Sequence, residues 1–179
     1  MMKKKTLTAA ALAVPLALAL TGCGISSAFD DRYEDSASKS AKTSQDGVAS
    51  GLLPGWVPAG GSDIRLEQRS TGHERIFVMD YAGELPAGQC TKIKEEGAPS
   101  AAELEAAYGG DPRTKDIDPE EFVTFRTLEA DWWPDATEQR TTHLCGRWWV
   151  HQQQGNLYAF APDISGVATK VVQERAENQ

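Results

Sequence analysis

The chain has 179 residues, with 18 Lys and Arg against 26 Asp and Glu, a formal charge of −8 and 40% apolar residues. This is the size of one domain plus extras, and with 16 Gly, 9 Pro and 3 Cys it is no collagen, coiled coil or cysteine-dense mini-protein. The acidic balance counts against a nucleic-acid partner, because phosphate contacts need a basic surface.

Met1-Met2-Lys3-Lys4-Lys5 is a positively charged start, and Thr6 to Leu20 is uncharged and rich in Ala and Leu. That run is short for a membrane span and fits the apolar region of a secretory leader. It ends in Leu20-Thr21-Gly22-Cys23, which resembles the lipobox of bacterial lipoproteins in residue type, spacing and distance from the start. The resemblance implies a signal peptide over residues 1–22, a diacylglycerol on the Cys23 thiol, and a further acyl chain such as palmitate on the new N-terminus. The expected location is the outer face of the cell membrane, with the membrane as first partner through the lipid on Cys23. Two or three acyl chains anchor stably where one is reversible. A plain secretory leader with an incidental Cys, or a true span, explains the position of Cys23 less well.

Cleavage at that point removes three Lys and no acid, leaving 15 basic and 26 acidic residues, a charge of −11. An acidic body is held off an anionic membrane rather than laid on it. Residues 24–50 are dominated by Ser, Ala, Asp and Lys without apolar periodicity, so residues 23–50 read as a lipidated flexible tether with a reach of roughly 30 Å. Phe29 and Tyr33, four apart, are spaced for a single helical turn within it.

The globular part is expected over 51–172. Leu52 to Pro58 opens it as an extended segment, since two Pro forbid a regular helix, with Trp56 docking on the core. Asp63 to Arg69 alternates, Ile64 and Leu66 against Arg65 and Glu67, as a half-buried strand does. Glu74 to Tyr81 is apolar on both faces and reads as a central strand, with Ser70-Thr71-Gly72 as the turn between the two. Ser100 with Glu103 forms a capping box opening a short helix that Gly109-Gly110 stops. Asp118-Pro119 looks like a second helix start, and Phe122 to Leu128 reads as a strand after one helical turn. Arg140 to His151 reads as one continuous strand, with Leu144, Trp148 and Val150 on one face and Cys145, Arg147 and Trp149 on the other. Gln154-Gly155 is a hairpin turn into the strand Asn156 to Ala161. Val167, Val171 and Val172 belong to a short last element, and residues 173–179 form a frayed tail. Strands, helix, then strands give an α+β domain, an antiparallel sheet with one short helix packed on it.

With Cys23 lipidated, Cys90 and Cys145 form an even pair in an oxidising compartment, where a disulfide is the default. The alternative is a free catalytic thiol beside His143. The Leu85-Pro86 loop leading to Cys90, the opening Trp56-Val57-Pro58 and Cys145-Gly146-Arg147-Trp148 are similar to a group of uncharacterised lipoproteins of high-GC Gram-positive bacteria. That resemblance covers scattered parts of 54–162 and implies location only.

Candidate chemistry is sparse. His143 and His151, eight apart on one strand, would stand roughly 26 Å from each other at about 3.3 Å per residue and share no metal. His73-Glu74 has no HExxH continuation. Asp116, Asp118 and Glu120 mimic the opening of a calcium loop, but Glu121 stands where Gly is needed and Thr127 where a bidentate Glu is needed. No GxSxG, SxxK, P-loop or GxGxxG occurs. No catalytic residue, metal or cofactor is therefore assigned. The tandem pairs Trp132-Trp133 and Trp148-Trp149 stand out, because neighbours on an extended chain face opposite ways. If one sheet face is wet, Trp132, Trp133, Trp148 and Trp149 with Arg147 offer a ligand or partner surface suited to a cell-envelope protein or a cell-wall glycan; if both faces are covered, they are core. The leading expectation is a non-enzymatic binding or accessory module. A small cell-envelope hydrolase using carboxylates and a histidine is the alternative, and a spacer without a ligand the third reading.

Overall fold

The structure, a computed structural model, describes residues 32–178. The leader, Cys23 and the first part of the expected tether lie outside the described residues. The remainder is built on a seven-stranded antiparallel sheet with three helices, an α+β architecture. The strands are β1 (Ser36–Thr43), β2 (Ser62–Arg69), β3 (Arg75–Asp80), β4 (Thr91–Lys92), β5 (His143–Cys145), β6 (Trp148–Gln153) and β7 (Asn156–Ala161). Their spatial order is β1-β2-β3-β7-β6-β5-β4. The helices are α1 (Ser44–Ala49), α2 (Ala101–Tyr108) and α3 (Ser165–Glu177).

The expected tether is overturned from residue 36 onward. Ser36–Thr43 pairs along β2, Ser38 opposite Glu67 and Ala41 opposite Ile64, and Thr43 caps α1 by accepting from the Asp46 amide at 3.1 Å. What holds β1 is polar. Glu67 is buried, and its carboxylate accepts from the Ser36 and Ser38 hydroxyls, each at 2.5 Å. The domain thus begins well before residue 51, and α1 and α3 stand beside the single helix expected. The supposed frayed tail is most of the last helical turns of α3, fixed by Arg175, which pairs with Glu34 at 3.0 Å and Glu129 at 2.8 Å.

β3 lies between β2 and β7 with apolar residues on both faces, as expected of a central strand. One face of the sheet carries Leu66, Phe77, Met79, Trp148, Val150 and Leu157, covered by the segment holding Leu53, Trp56 and Val57. The other carries Ile76, Leu144, Trp149 and Phe160, covered by Leu128 and Trp133 with Leu104 and Ala107 of α2. The capping box of α2 is formed, Glu103 accepting from the Ser100 amide at 2.8 Å. Asp118 caps one 3-10 turn, Pro119–Glu121, accepting from the Glu120 amide at 3.0 Å. The strand expected after it is only a single bridge, Phe122 to Ile164.

The largest topological correction concerns 140–151. The segment is a hairpin, not one strand: Leu144 stands opposite Trp149 and Cys145 opposite Trp148. Gly146, at φ 56°, takes the first position of the two-residue turn, where only glycine is unstrained. Trp148 and Val150 share a face as expected, but Cys145 joins them and Leu144 moves to the side of Trp149. The 26 Å separation expected of His143 and His151 falls with it, since His143 stands opposite Val150, the neighbour of His151. The β6–β7 turn is Gln154-Gly155 as expected, both at positive φ.

Candidate functional site

The site is built on the β5–β6 turn. Arg147 follows Gly146 there, and its side chain is turned inward, 2% exposed. Its Nη2 donates to the carbonyl of His73 at 2.5 Å and its Nη1 to the carbonyl of Pro162 at 3.3 Å. Its guanidinium carbon lies 5.7 Å from the centroid of the Trp148 ring. Asp163, 1% exposed, accepts from the amides of His73, Glu74 and Ile164 at 2.7, 3.0 and 3.0 Å. Together these two residues tie the β2–β3 turn to the junction of β7 and α3.

Arg147 also lines an open cavity of about 410 Å³ at this end of the sheet. Leu53, Trp56 and Trp148 form its apolar wall. Arg75, the first residue of β3, and Arg113, in the loop after α2, enter it from two other elements, with Asp111 as its carboxylate. Among the described residues, none of the three guanidiniums forms an ion pair, and the side chains of Arg75 and Arg113 donate no hydrogen bond to protein. Burial first, and the positive charge of Arg75 and Arg113 against the help of Asp111 and Asp163, push Arg147 down to about 10. Burial and Arg113 likewise lower Arg75. Guanidinium groups are cationic donors, so three of them against one carboxylate give the lining an excess of positive charge in a protein that is acidic overall.

A second concavity of about 560 Å³ runs beside α2, between Ala106, Ala107 and the residues Ile93 and Leu144. It shares Trp56, Gly110 and Gly146 with the arginine-lined cavity, so the two adjoin.

The aromatic surface expected from the tandem tryptophans is not formed. Trp133, Trp148 and Trp149 are 5%, 4% and 3% exposed, because both sheet faces are covered. Trp148 packs against Phe77 and Trp56 with ring centroids 5.2 and 6.4 Å apart. Trp149 donates its indole N–H to the Tyr108 hydroxyl at 2.9 Å, and burial raises Tyr108 to about 12. Only Trp132 is partly open, with the Arg65 guanidinium 5.5 Å above its ring. Of the five residues proposed as a surface, Arg147 alone reaches the cavity as a polar group, and it does so from a buried position.

Cys90 and Cys145 are joined in a disulfide, which removes the free-thiol reading of either. His143 shares a hydrogen bond with Thr142 Oγ1 at 2.9 Å, and His151 is buried, stacked on Tyr158 at 5.1 Å. Among the described residues no histidine ring pairs with a carboxylate, the arrangement the hydrolase alternative requires, and no group of three or more His, Cys, Asp and Glu is placed to hold a metal ion. Asp118, the centre of the calcium-loop mimic, is spent on its helix cap.

Sequence reasoning missed Arg75, Arg113 and Asp111. They come from two separate segments, the start of β3 and the loop after α2, with no common motif; the one trace is a basic residue opening the most apolar strand. No family model, curated protein or solved structure matches the chain.

Proposed function

We propose that this protein is a lipid-anchored module of the outer face of the cell membrane, held through acyl chains on Cys23, and that it binds a ligand rather than transforming one. The anchor rests on Leu20-Thr21-Gly22-Cys23 after a charged and then apolar leader. The observation that carries binding is the cavity in which Arg75, Arg113 and Arg147 meet without a paired carboxylate. An acidic body is repelled by anionic headgroups, which suits a receptor or accessory role for a partly buried, charged concavity. The test is metabolic labelling with an alkyne analogue of palmitate in a bacterium that processes lipoproteins, followed by proteolysis of intact cells. Label that depends on Cys23, lost in Cys23→Ala, together with digestion from outside, is the expected result. A chain that carries no label, or is protected from external protease, overturns the anchored reading.

A further inference from the structure

We propose that the cavity between the Leu53–Trp56 segment, the start of β3, the loop after α2 and the β5–β6 turn binds an organic phosphate monoester, its dianionic head on Arg75, Arg113 and Arg147 and its organic body along the adjoining groove beside α2. This rests on the reading of the domain as a binding module and names its ligand class.

Three observations converge. The first is charge. Three guanidiniums and one carboxylate, Asp111, line the cavity, an excess of two positive charges that a dianion balances and a single carboxylate does not. Guanidinium forks match the oxygens of phosphate in geometry as well as charge. The second is burial. Arg147 is 2% exposed and bonded only to the neutral carbonyls of His73 and Pro162. A buried cation without a close counter-charge is costly unless something supplies one, and Asp111 and Asp163 act on it only from beyond ion-pair distance. An anion in the cavity is the missing partner. The third is shape. About 410 Å³ exceeds what an inorganic phosphate fills, and Trp56, Gly110 and Gly146 are shared with the groove of about 560 Å³ beside α2. Gly51 and Gly55 line the cavity with open space where a Cβ would stand, so backbone can approach a ligand there.

The experiment uses the full-length chain purified in detergent. Its thermal unfolding is followed at constant ionic strength with inorganic phosphate, phenyl phosphate, citrate and a short-chain phosphatidylglycerol. A saturable rise in Tm is expected with both phosphates, at lower concentration with phenyl phosphate, whose ring has the groove to occupy. The variants are Arg75→Gln, Arg113→Gln and the two combined; neither side chain makes a hydrogen bond or ion pair with protein, so the fold loses none, and each single change should weaken phenyl phosphate about tenfold, the loss of one charge-assisted contact. Arg65→Gln, outside the cavity, should not. Equal response to all anions, or binding by the double variant as by the native chain, overturns the site. A phosphatidylglycerol response as strong as that to phenyl phosphate overturns the dianion in favour of a lipid diester headgroup. If citrate alone stabilises, and the arginine variants abolish it, the binding module stands and the phosphate class falls. If the chain labels on Cys23 yet no anion acts, the anchor stands and the anion site falls.

Discussion

Arg147 and Asp163 hold the backbone of one residue, His73, from both sides: His73 donates its amide to Asp163 at 2.7 Å, and its carbonyl accepts from Arg147 at 2.5 Å. The β2–β3 turn, with Gly72 at φ 132°, is thereby locked onto the strand that precedes α3. Any Cβ at Gly72 would stand 2.2 Å from the Asp163 carboxylate. Because Asp163, itself buried, satisfies three backbone amides at once, Asp163→Ala is expected to cost roughly 3–5 kcal/mol in urea unfolding. Arg147→Ala should cost less, since it loses two carbonyl bonds but also relieves a buried charge. The double variant should be less destabilised than the sum of the two, because each acts through His73. Additivity within about 0.3 kcal/mol would show that the shared residue does not couple them.

The N-terminal limit of the domain gives a second prediction. Ser44 exchanges backbone and side-chain bonds with Gly61, at 2.9 and 3.1 Å, and the Leu53 amide donates to Gly47 at 2.9 Å. A chain beginning at Gly51 loses these, loses β1, and exposes the β2 edge with Glu67 stripped of its serines. It is expected to unfold at lower urea than a chain beginning at Arg32, and to aggregate through the bared edge. Within the intact chain, Glu67→Ala should speed amide exchange in Ser36–Thr43 much more than in β3, since it is the carboxylate that gathers the two hydroxyls. Uniform exchange across both strands would show β1 to be held by its ladder alone.

That boundary also shows what the sequence could and could not convey. Strand β2 is legible because Ile64 and Leu66 alternate with polar residues, and β3 and β7 because apolar residues run through both of their faces. β1 is not, because it is held through Ser36 and Ser38 on Glu67, and a strand with polar inward contacts leaves no hydrophobic period. The hairpin at 146–147 was hidden by continuity: apolar residues run through Leu144 to Val150, and the single sign of a turn is one glycine. The Cys90–Cys145 disulfide is legible because only two cysteines remain once Cys23 is set aside. The arginine cavity was beyond reach, since the proximity of residues 75, 113 and 147 exists only after the sheet has formed.

The disulfide supports a third expectation. Cys90 and Cys145 are 55 residues apart, and Cys90 directly precedes β4, whose two residues pair with Leu144 and His143. By loop entropy alone the bond contributes about 4 kcal/mol. Reduction, or the double variant Cys90→Ser with Cys145→Ser, should lower Tm and free the amides of Thr91 and Lys92 before those of β6. A Tm unchanged by reductant would show that the loop is fixed by its other contacts.

Tryptophan emission separates the five indoles. Trp56, Trp133, Trp148 and Trp149 are buried, and Trp132 is partly open beneath Arg65. Acrylamide should quench a minor fraction of the fluorescence, and Trp132→Phe should remove most of that fraction. Free quenching that survives Trp132→Phe would place another indole at the surface and reopen the aromatic-surface reading.

His151 is expected to contribute to the loss of stability in acid. Its ring is buried on Tyr158, its Nε2 has no hydrogen-bond partner, and burial above all, with Arg140 beside it, lowers its pKa, while Gln153 and Glu96 act the other way. His143 is lowered too, by burial and by Lys92. The folded state therefore keeps both rings neutral where the unfolded chain, with an ordinary value of about 6.5, takes up protons. Stability should be level above neutral pH and decline as pH falls through about 6.5, until the folded-state values are reached. His151→Phe preserves the stack and removes the titrating group, so it should flatten part of that decline and leave the His143 part. The comparison is urea unfolding at pH 5 and pH 7.5 for both chains. An identical loss of stability in the two would show that the buried imidazole of His151 is not a source of the acid sensitivity.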